Sequence, residues 1–151
     1  MTGVEFTVYG LAQPAGSKRG FHRGGRVIIV DAAAKSRPWK AQVSDAAALA
    51  MADAGISLIR DPLEAHFTFY VPRPKGHYGS GRNATVLKPS APVYPTSRPD
   101  LLKLARAVED SCTGIVYSDD SLIVREALEK IYGEPARVEV SLYTLSPHGD
   151  T

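Results

Sequence analysis

The chain has 151 residues, 44% of them hydrophobic and 23% charged, which is typical of one soluble globular domain. No apolar run approaches the roughly 18 residues that a membrane span needs, and the start lacks the basic and apolar pattern of a signal peptide. The single cysteine, Cys112, excludes an internal disulfide and a zinc site built from several cysteines. We therefore expect a single domain over residues 1–151, located in the cytoplasm and not associated with a membrane.

The net charge is only +2, but the charges are segregated along the chain. Residues 14–40 hold seven Lys/Arg against one acid, and residues 73–98 hold five against none. Residues 100–151 reverse this balance, with ten Asp/Glu against five Lys/Arg. A basic surface beside an acidic patch is typical of a protein that holds a polyanion against metal-binding carboxylates. Solvated loops are the alternative.

The first third of the chain predicts two strands and a helix. Residues 4–10 alternate apolar and polar side chains, as a strand does. Residues 11–25, punctuated by glycine and proline, predict a basic loop, and residues 26–31 predict a second strand, paired with the first as a hairpin. A helix is expected from about Ser36 to Ala54, because Ser36 can cap it and an apolar stripe follows along one face.

The middle of the chain predicts a strand and then a long irregular segment. Residues 63–71 alternate most clearly, with apolar side chains on one face. Residues 72–99 contain six prolines and three glycines, and the segment is longer than ordinary loops. Its basic side chains, together with His77, Tyr78 and Tyr94, indicate a surface that grips phosphates and stacks on bases. A flexible insertion is the alternative.

The last third predicts a helix from about Pro99 to Cys112, ended by Gly114. An acidic turn follows, and then a strand or short helix to about Ile131. Residues 137–145 predict a final strand. This order of elements predicts an α/β (α+β) fold, with a mixed sheet of about five strands and two main helices packed on it.

Acidic residues are concentrated on this helix and in the turn after it, at Asp100, Glu109, Asp110, Asp119 and Asp120. Magnesium prefers oxygen ligands and keeps several waters, so two or three carboxylates plus a substrate phosphate suffice to bind it. Such a site activates water for phosphodiester hydrolysis. Asp100 could meet Asp119 and Asp120 if the chain after the helix folds back. The alternatives are a dipole-favoured acid at a helix N-terminus and an acidic turn.

The stretch RPDLLKLARAVED…TGIVYSDDS resembles the RusA-type Holliday junction resolvase family. The family motif reads approximately Asp-Leu-Asp-Asn/Lys-Leu-x-Lys/Arg, followed by an Asp and by a turn that carries Asp-Asp. The resemblance is strongest over residues 98–124 and extends loosely to the whole chain. It implies a homodimeric endonuclease that cuts four-way DNA junctions with magnesium, or alternatively manganese. We interpret the chain as a phage-like variant, encoded by a phage or prophage in a bacterial cell.

The resemblance implies a role for each matching residue. Asp100 and Asp120 match catalytic, metal-binding aspartates, and Asp119 lies beside the second of them. Arg106 stands where the family has a catalytic helix lysine, and it keeps the positive charge as a flat fork. Asp110 matches a recurrent acid in the same helix.

Leu102 departs from the motif, because the family usually has its second essential aspartate there. Leucine cannot bind a metal, so either activity is weakened or another carboxylate substitutes. Glu109 is the candidate, two turns along the same helical face with Arg106 between them. Two turns rise about 10.5 Å, so Glu109 would bind the metal from the other side or through water. The alternative is an ordinary ion pair between Arg106 and Glu109.

Contacts with DNA phosphates are expected from both basic segments. The predicted residues are Lys18, Arg19, Arg23, Arg73, Lys75, Arg82, Lys88 and Arg98. The sequence leaves two other functions open. One is a junction-binding dimer whose catalysis was lost with the acid at Leu102, and the other is a protein-interaction module without a nucleic-acid role.

Overall fold

The computed structural model of the chain describes residues 2–16, 18–31 and 36–149, and only the backbone for 18–23 and 27–31. The elements in chain order are β1 (Gly3–Tyr9), β2 (Lys18–Arg23), β3 (Arg26–Asp31), α1 (Ser36–Ala54), β4 (Leu63–Val71), α2 (Leu101–Cys112), β5 (Ile123–Tyr132) and β6 (Arg137–Thr144). The predicted α+β fold and both predicted helices are confirmed. Neither of these described helices is long and apolar enough to cross a membrane.

Four strands form a mixed sheet in the order β1-β6-β4-β5. β6 is antiparallel to both β1 and β4, whereas β4 and β5 are parallel. Parallel neighbours cannot be joined by a tight turn, and here the crossover between them contains the long irregular segment and α2. The crossover sets α2 beside β5 and thereby fixes where the acidic residues lie.

The early part of the chain differs from the sequence prediction. β3 pairs with β2 and not with β1, and residues 18–23, predicted as part of a basic loop, form a strand. These two strands make a separate sheet, so the main sheet has four strands instead of about five. The reason is the turn at Gly24 and Gly25, whose φ angles of 59° and 77° suit a two-residue hairpin and pair the strands on either side of it.

The core lies between one face of the sheet and the two helices. Alternate residues of β4 are buried, and Phe67 and Phe69 are its largest buried side chains. They belong to one hydrophobic cluster with the buried stripes of both helices, which comprise Trp39, Val43, Ala47, Met51, Leu104, Ala105, Val108 and Cys112. Burial raises the pKa of the Cys112 thiol to about 12, as expected of an unreactive core cysteine.

The irregular segment, residues 72–99, is folded back on itself. The amide of Gly79 donates to the carbonyl of Val86 at 3.0 Å, and the amide of Lys88 donates to the carbonyl of His77 at 2.9 Å. Two single-turn 3₁₀ helices lie within it. These bonds give the segment a defined shape beside the end of β5.

Candidate active site

Asp100 is the N-cap residue of α2, and its exposed side chain makes no capping hydrogen bond. The chain just before it is held by Lys130 of β5. The Lys130 Nζ donates to the carbonyl of Ser97 at 2.8 Å and to the carbonyl of Pro99 at 3.0 Å. The backbone at Asp100 is therefore fixed, while its carboxylate faces solvent.

Asp119 and Asp120 lie, exposed, in the turn that leads into β5. The amide of Ser121 donates to Asp119 Oδ1 at 2.8 Å, and this bond holds the pKa of Asp119 below its ordinary value. The pKa of Asp120 is raised, because its carboxyl group shares a hydrogen bond with Asp119 and because Asp119 and Asp110 are negatively charged. Two neighbouring carboxyl groups whose pKa values move apart in this way are a pair that a cation would stabilise.

Glu109 is half-buried near the end of α2, opposite β5. Its pKa is raised to about 8 because burial disfavours the charged form and because Glu126 of β5 shares a hydrogen bond with it. The negative charges of Asp120 and Asp110 raise it further. Among the ion pairs of the described residues there is none between Glu109 and Arg106. Glu109 therefore lies among other acids, and none of the ion pairs in the described part of the chain includes it.

Hydrogen bonds to the backbone hold the end of α2 in place. The hydroxyl of Tyr117 donates to the carbonyl of Glu109 at 2.8 Å, and Thr113 Oγ1 donates to the same carbonyl at 3.0 Å. Tyr117 is fully buried, and Gly114 has a φ of 82° that lets the chain turn back after the helix. Glu109 is thereby held opposite Glu126.

The structure brings Glu109, Asp119 and Asp120 into one neighbourhood but places Asp100 at the opposite end of α2. Glu109 lies nine positions after Asp100 along the helix, a rise of about 13.5 Å. No three His, Cys, Asp or Glu side chains in the described part of the chain form a ready metal-binding group. Asp100, Asp119 and Asp120 therefore do not converge as such a group here.

Leu102, the residue that departs from the acidic motif, is 69% exposed in the first turn of α2. It shares a helical face with Arg106 and Glu109, four and seven residues further on, and Arg106 is also exposed. Asp110 forms an ion pair with Lys40 of α1, with 3.5 Å between Oδ2 and Nζ. Asp110 thus forms an ion pair that links α2 to α1. Leu102, in contrast to the acid of the family motif, places an apolar side chain near Asp100.

The predicted phosphate-binding residues fall into two groups. Arg73 is half-buried, and four others in the irregular segment are exposed, namely Lys75, Arg82, Lys88 and Arg98. Lys18, Arg19 and Arg23 belong to β2, and their side chains lie outside the described part of the chain.

The comparison with known proteins concerns most of the chain and not only the acidic residues. Residues 12–143 match the family profile described as Endodeoxyribonuclease RusA. The chain belongs to the RusA endodeoxyribonuclease family. It is also 32% identical over 143 residues to the Bacillus subtilis (strain 168) protein described as Uncharacterized protein YqaN, covering 95% of this chain and 97% of that protein. The predicted family resemblance is therefore confirmed over nearly the whole chain.

Two residues that contact the site were missed by the sequence prediction. Glu126 and Lys130 are four residues apart on β5, a spacing that places both side chains on one face of a strand. Glu126 reaches the end of α2 at Glu109, and Lys130 reaches the chain before Asp100. The spacing of four residues can be read in the sequence. Which groups the two side chains contact depends on the fold, in which α2 runs antiparallel beside β5.

Glu109→Gln is expected to stabilise the metal-free protein at pH 8. The pKa of Glu109 rises from 4.5 to about 8 on folding, so the folded state loses stability as pH rises through this interval. An amide carries no charge and avoids that loss. We therefore expect Glu109→Gln to raise the free energy of unfolding by about 1–2 kcal/mol at pH 8, after solvent screening, and to leave it unchanged near pH 4. Urea unfolding in EDTA at both pH values measures it.

Glu129→Gln is the matched control, because Glu129 is an exposed acid on β5, the strand that carries Glu126. Its effect on the free energy of unfolding should be small and similar at the two pH values. A Glu109→Gln gain that is no larger at pH 8 than at pH 4 would show that Glu109 is not under electrostatic strain.

Proposed function

We propose that the chain is a magnesium-dependent, structure-selective endonuclease that hydrolyses phosphodiester bonds in four-way or other branched DNA junctions. The observation that carries the proposal is membership of the RusA endodeoxyribonuclease family over residues 12–143. The acidic neighbourhood between α2 and β5 and the exposed cations of the irregular segment support it. These are the carboxylates that a metal-assisted hydrolysis uses and the charges that bind a DNA backbone.

The carboxyl groups between α2 and β5 suit a hydrated magnesium ion, and manganese would suit the same oxygens. Magnesium keeps several waters and takes only one or two protein carboxylates when phosphates complete its shell. The carboxyl groups of Asp119 and Asp120 interact with each other, as do those of Glu109 and Glu126, so each pair offers two carboxylates. We infer that Asp119 and Asp120 bind the metal directly and that Glu109 binds it through water, because the three side chains do not form a ready metal-binding group among the described residues. When bound, such an ion lowers the pKa of a coordinated water and so supplies the nucleophile.

The remaining groups would position and stabilise the substrate. Arg106 is exposed on the face of α2 that carries Glu109, and its guanidinium would offset the charge that develops on the scissile phosphate. Asp100 remains a proposed metal ligand. Because it lies about 13.5 Å along α2 from Glu109, too far to share one ion directly, a second ion or a second copy of the chain would complete its site.

The proposed partner is branched DNA, bound by a homodimer. A four-way junction has two equivalent strands to cut, so symmetric cleavage needs two active sites related by a twofold axis. The basic residues of the irregular segment, and those of β2, would contact the phosphates of the junction arms. Phosphate contacts of this kind make affinity fall steeply with rising salt.

A synthetic four-way junction tests the proposal directly. With magnesium we expect paired nicks near the branch point and none in a linear duplex of the same arm sequences. In EDTA the junction should be bound but uncut, with an affinity that falls as salt rises. Binding without cleavage in both magnesium and manganese would rule out the nuclease.

A junction-binding protein without catalysis is the second candidate. Leu102 favours it, because an exposed apolar side chain stands where the family motif carries an acid. This candidate predicts salt-sensitive junction binding and no cleavage with any divalent metal. Substitution of Leu102 itself separates the two candidates.

A further inference from the structure

A cavity of about 410 Å³ lies between the irregular segment and the end of β5. Three tyrosines line it, Tyr78 and Tyr94 from the segment and Tyr132 from β5, and Glu134, just after β5, also lines it. The volume is that of a small-molecule site. We propose that this cavity binds one unpaired nucleobase of the branched DNA, an inference that rests on the proposed function and names the part of the substrate recognised.

The cavity is held open by contacts within the protein. The Arg73 guanidinium lies 4.2 Å from the centroid of the Tyr132 ring, and its Nη1 donates to the carbonyl of Pro92 at 2.7 Å. His77 packs edge-on against Tyr132, with 5.4 Å between ring centroids. Arg73 thus ties the chain just before Tyr94 to β5. A base entering the cavity would not have to order its walls, which lowers the entropic cost of binding.

The lining favours a base over other occupants. Tyr94 is 67% exposed, and an exposed aromatic ring on a basic segment offers the stacking surface that unpaired bases use. Residues 73–98 carry five Lys/Arg and no acid, so the approaches to the cavity attract a DNA backbone. The acid in the lining, Glu134, would repel a phosphate but can accept hydrogen bonds from the amino group of a base.

The cavity also lies near Asp100, one of the proposed catalytic residues. Tyr132 lies two residues after Lys130 on β5, about 7 Å along the strand. Lys130 in turn binds the carbonyl of Pro99, the residue before Asp100. A base in the cavity would therefore belong to a nucleotide next to a phosphate at the N-terminus of α2. A branch point supplies such a base, because pairing and stacking are weakest there.

Binding assays in EDTA test the proposal without any need for cleavage. Tyr94→Ala should weaken binding to a four-way junction roughly 10-fold, whereas Tyr94→Phe, which keeps the ring, should not. Removing the base at the branch point, by an abasic site, should weaken wild-type binding by a similar factor. The two changes together should cost no more than either alone, because they remove the same stacking contact. Tyr9→Ala is the control, since Tyr9 is 64% exposed on β1 and is not one of the residues that line the cavity.

Four results would overturn the nucleobase site. Equal losses for the junction and for a linear duplex would make Tyr94 a general surface contact. Unchanged DNA affinity with loss of self-association in sedimentation would make the cavity a protein contact. Absence of junction binding by the wild type would remove both the site and the proposed function. If the wild type cleaves the junction in magnesium and Tyr94→Ala leaves junction binding unchanged, only the nucleobase site is overturned. If Tyr94→Ala weakens junction binding as expected but the wild type does not cleave the junction, only the proposed nuclease activity is overturned.

Discussion

Asp120→Asn is expected to abolish junction cleavage while leaving junction binding intact. Asn keeps the shape of the side chain but loses the negative charge that attracts a divalent cation. Loss of a residue that merely supports a metal ligand already costs roughly 10–100-fold, so loss of a proposed ligand should cost at least about 100-fold in the cleavage rate. Affinity for the junction in EDTA should stay the same or rise slightly, because one repulsive charge is removed.

Asp53→Asn is the matched control for this substitution. Asp53 is an exposed acid near the end of α1, in the groove beside β1 and away from the acidic neighbourhood. The Asp53→Asn variant should cut the junction at the wild-type rate and should reach half-maximal activity at the same metal concentration. If Asp120→Asn keeps a rate within a few-fold of the wild type, Asp120 is not a metal ligand and the proposed site is misplaced.

The sequence predicted those parts of the fold that depend on local patterns. The apolar stripe of α1 and the alternation of β4 are complete within one element, and both elements have the predicted bounds. The β2–β3 hairpin was missed because β2 is too polar to show the alternation of a strand. There the Gly-Gly turn, and not the pattern on either side, was the informative signal.

The candidate site was predictable only in part, because its geometry depends on contacts between distant elements. The acidic motif identified the family, since residue types at fixed spacing can be read directly. It could not show that Glu109 would face Glu126, because that contact needs α2 to lie beside β5. Nor could it show that Asp100 lies at the far end of the helix, held by Lys130. The same nonlocal packing gives Glu109 its raised pKa, which spacing alone did not predict.

Leu102→Asp is expected to increase junction cleavage at least roughly 10-fold, by restoring the acid of the family motif. The side chain is 69% exposed, so the exchange creates no cavity in the core. An acid in the first turn of a helix is stabilising by about 0.3–1 kcal/mol. With Asp100, whose backbone is fixed by Lys130, the new carboxylate would provide the two protein ligands that suffice for magnesium. Leu102→Asn, which has a similar shape without the charge, should give no gain.

The starting activity and the double variant with Glu109→Gln decide how the site works. If the wild type does not cut and Leu102→Asp does, the natural protein is a junction binder whose catalysis was lost at this position. If the wild type cuts and Glu109→Gln stops it, Glu109 helps to hold a metal at its own end of α2, and adding Leu102→Asp should then restore cleavage. The restoration would follow because two carboxylates at the start of α2 can hold a metal there without Glu109, which lies about 10.5 Å further along the helix. Equal rates for Leu102→Asp, Leu102→Asn and the wild type would mean that the metal is not bound at this end of α2.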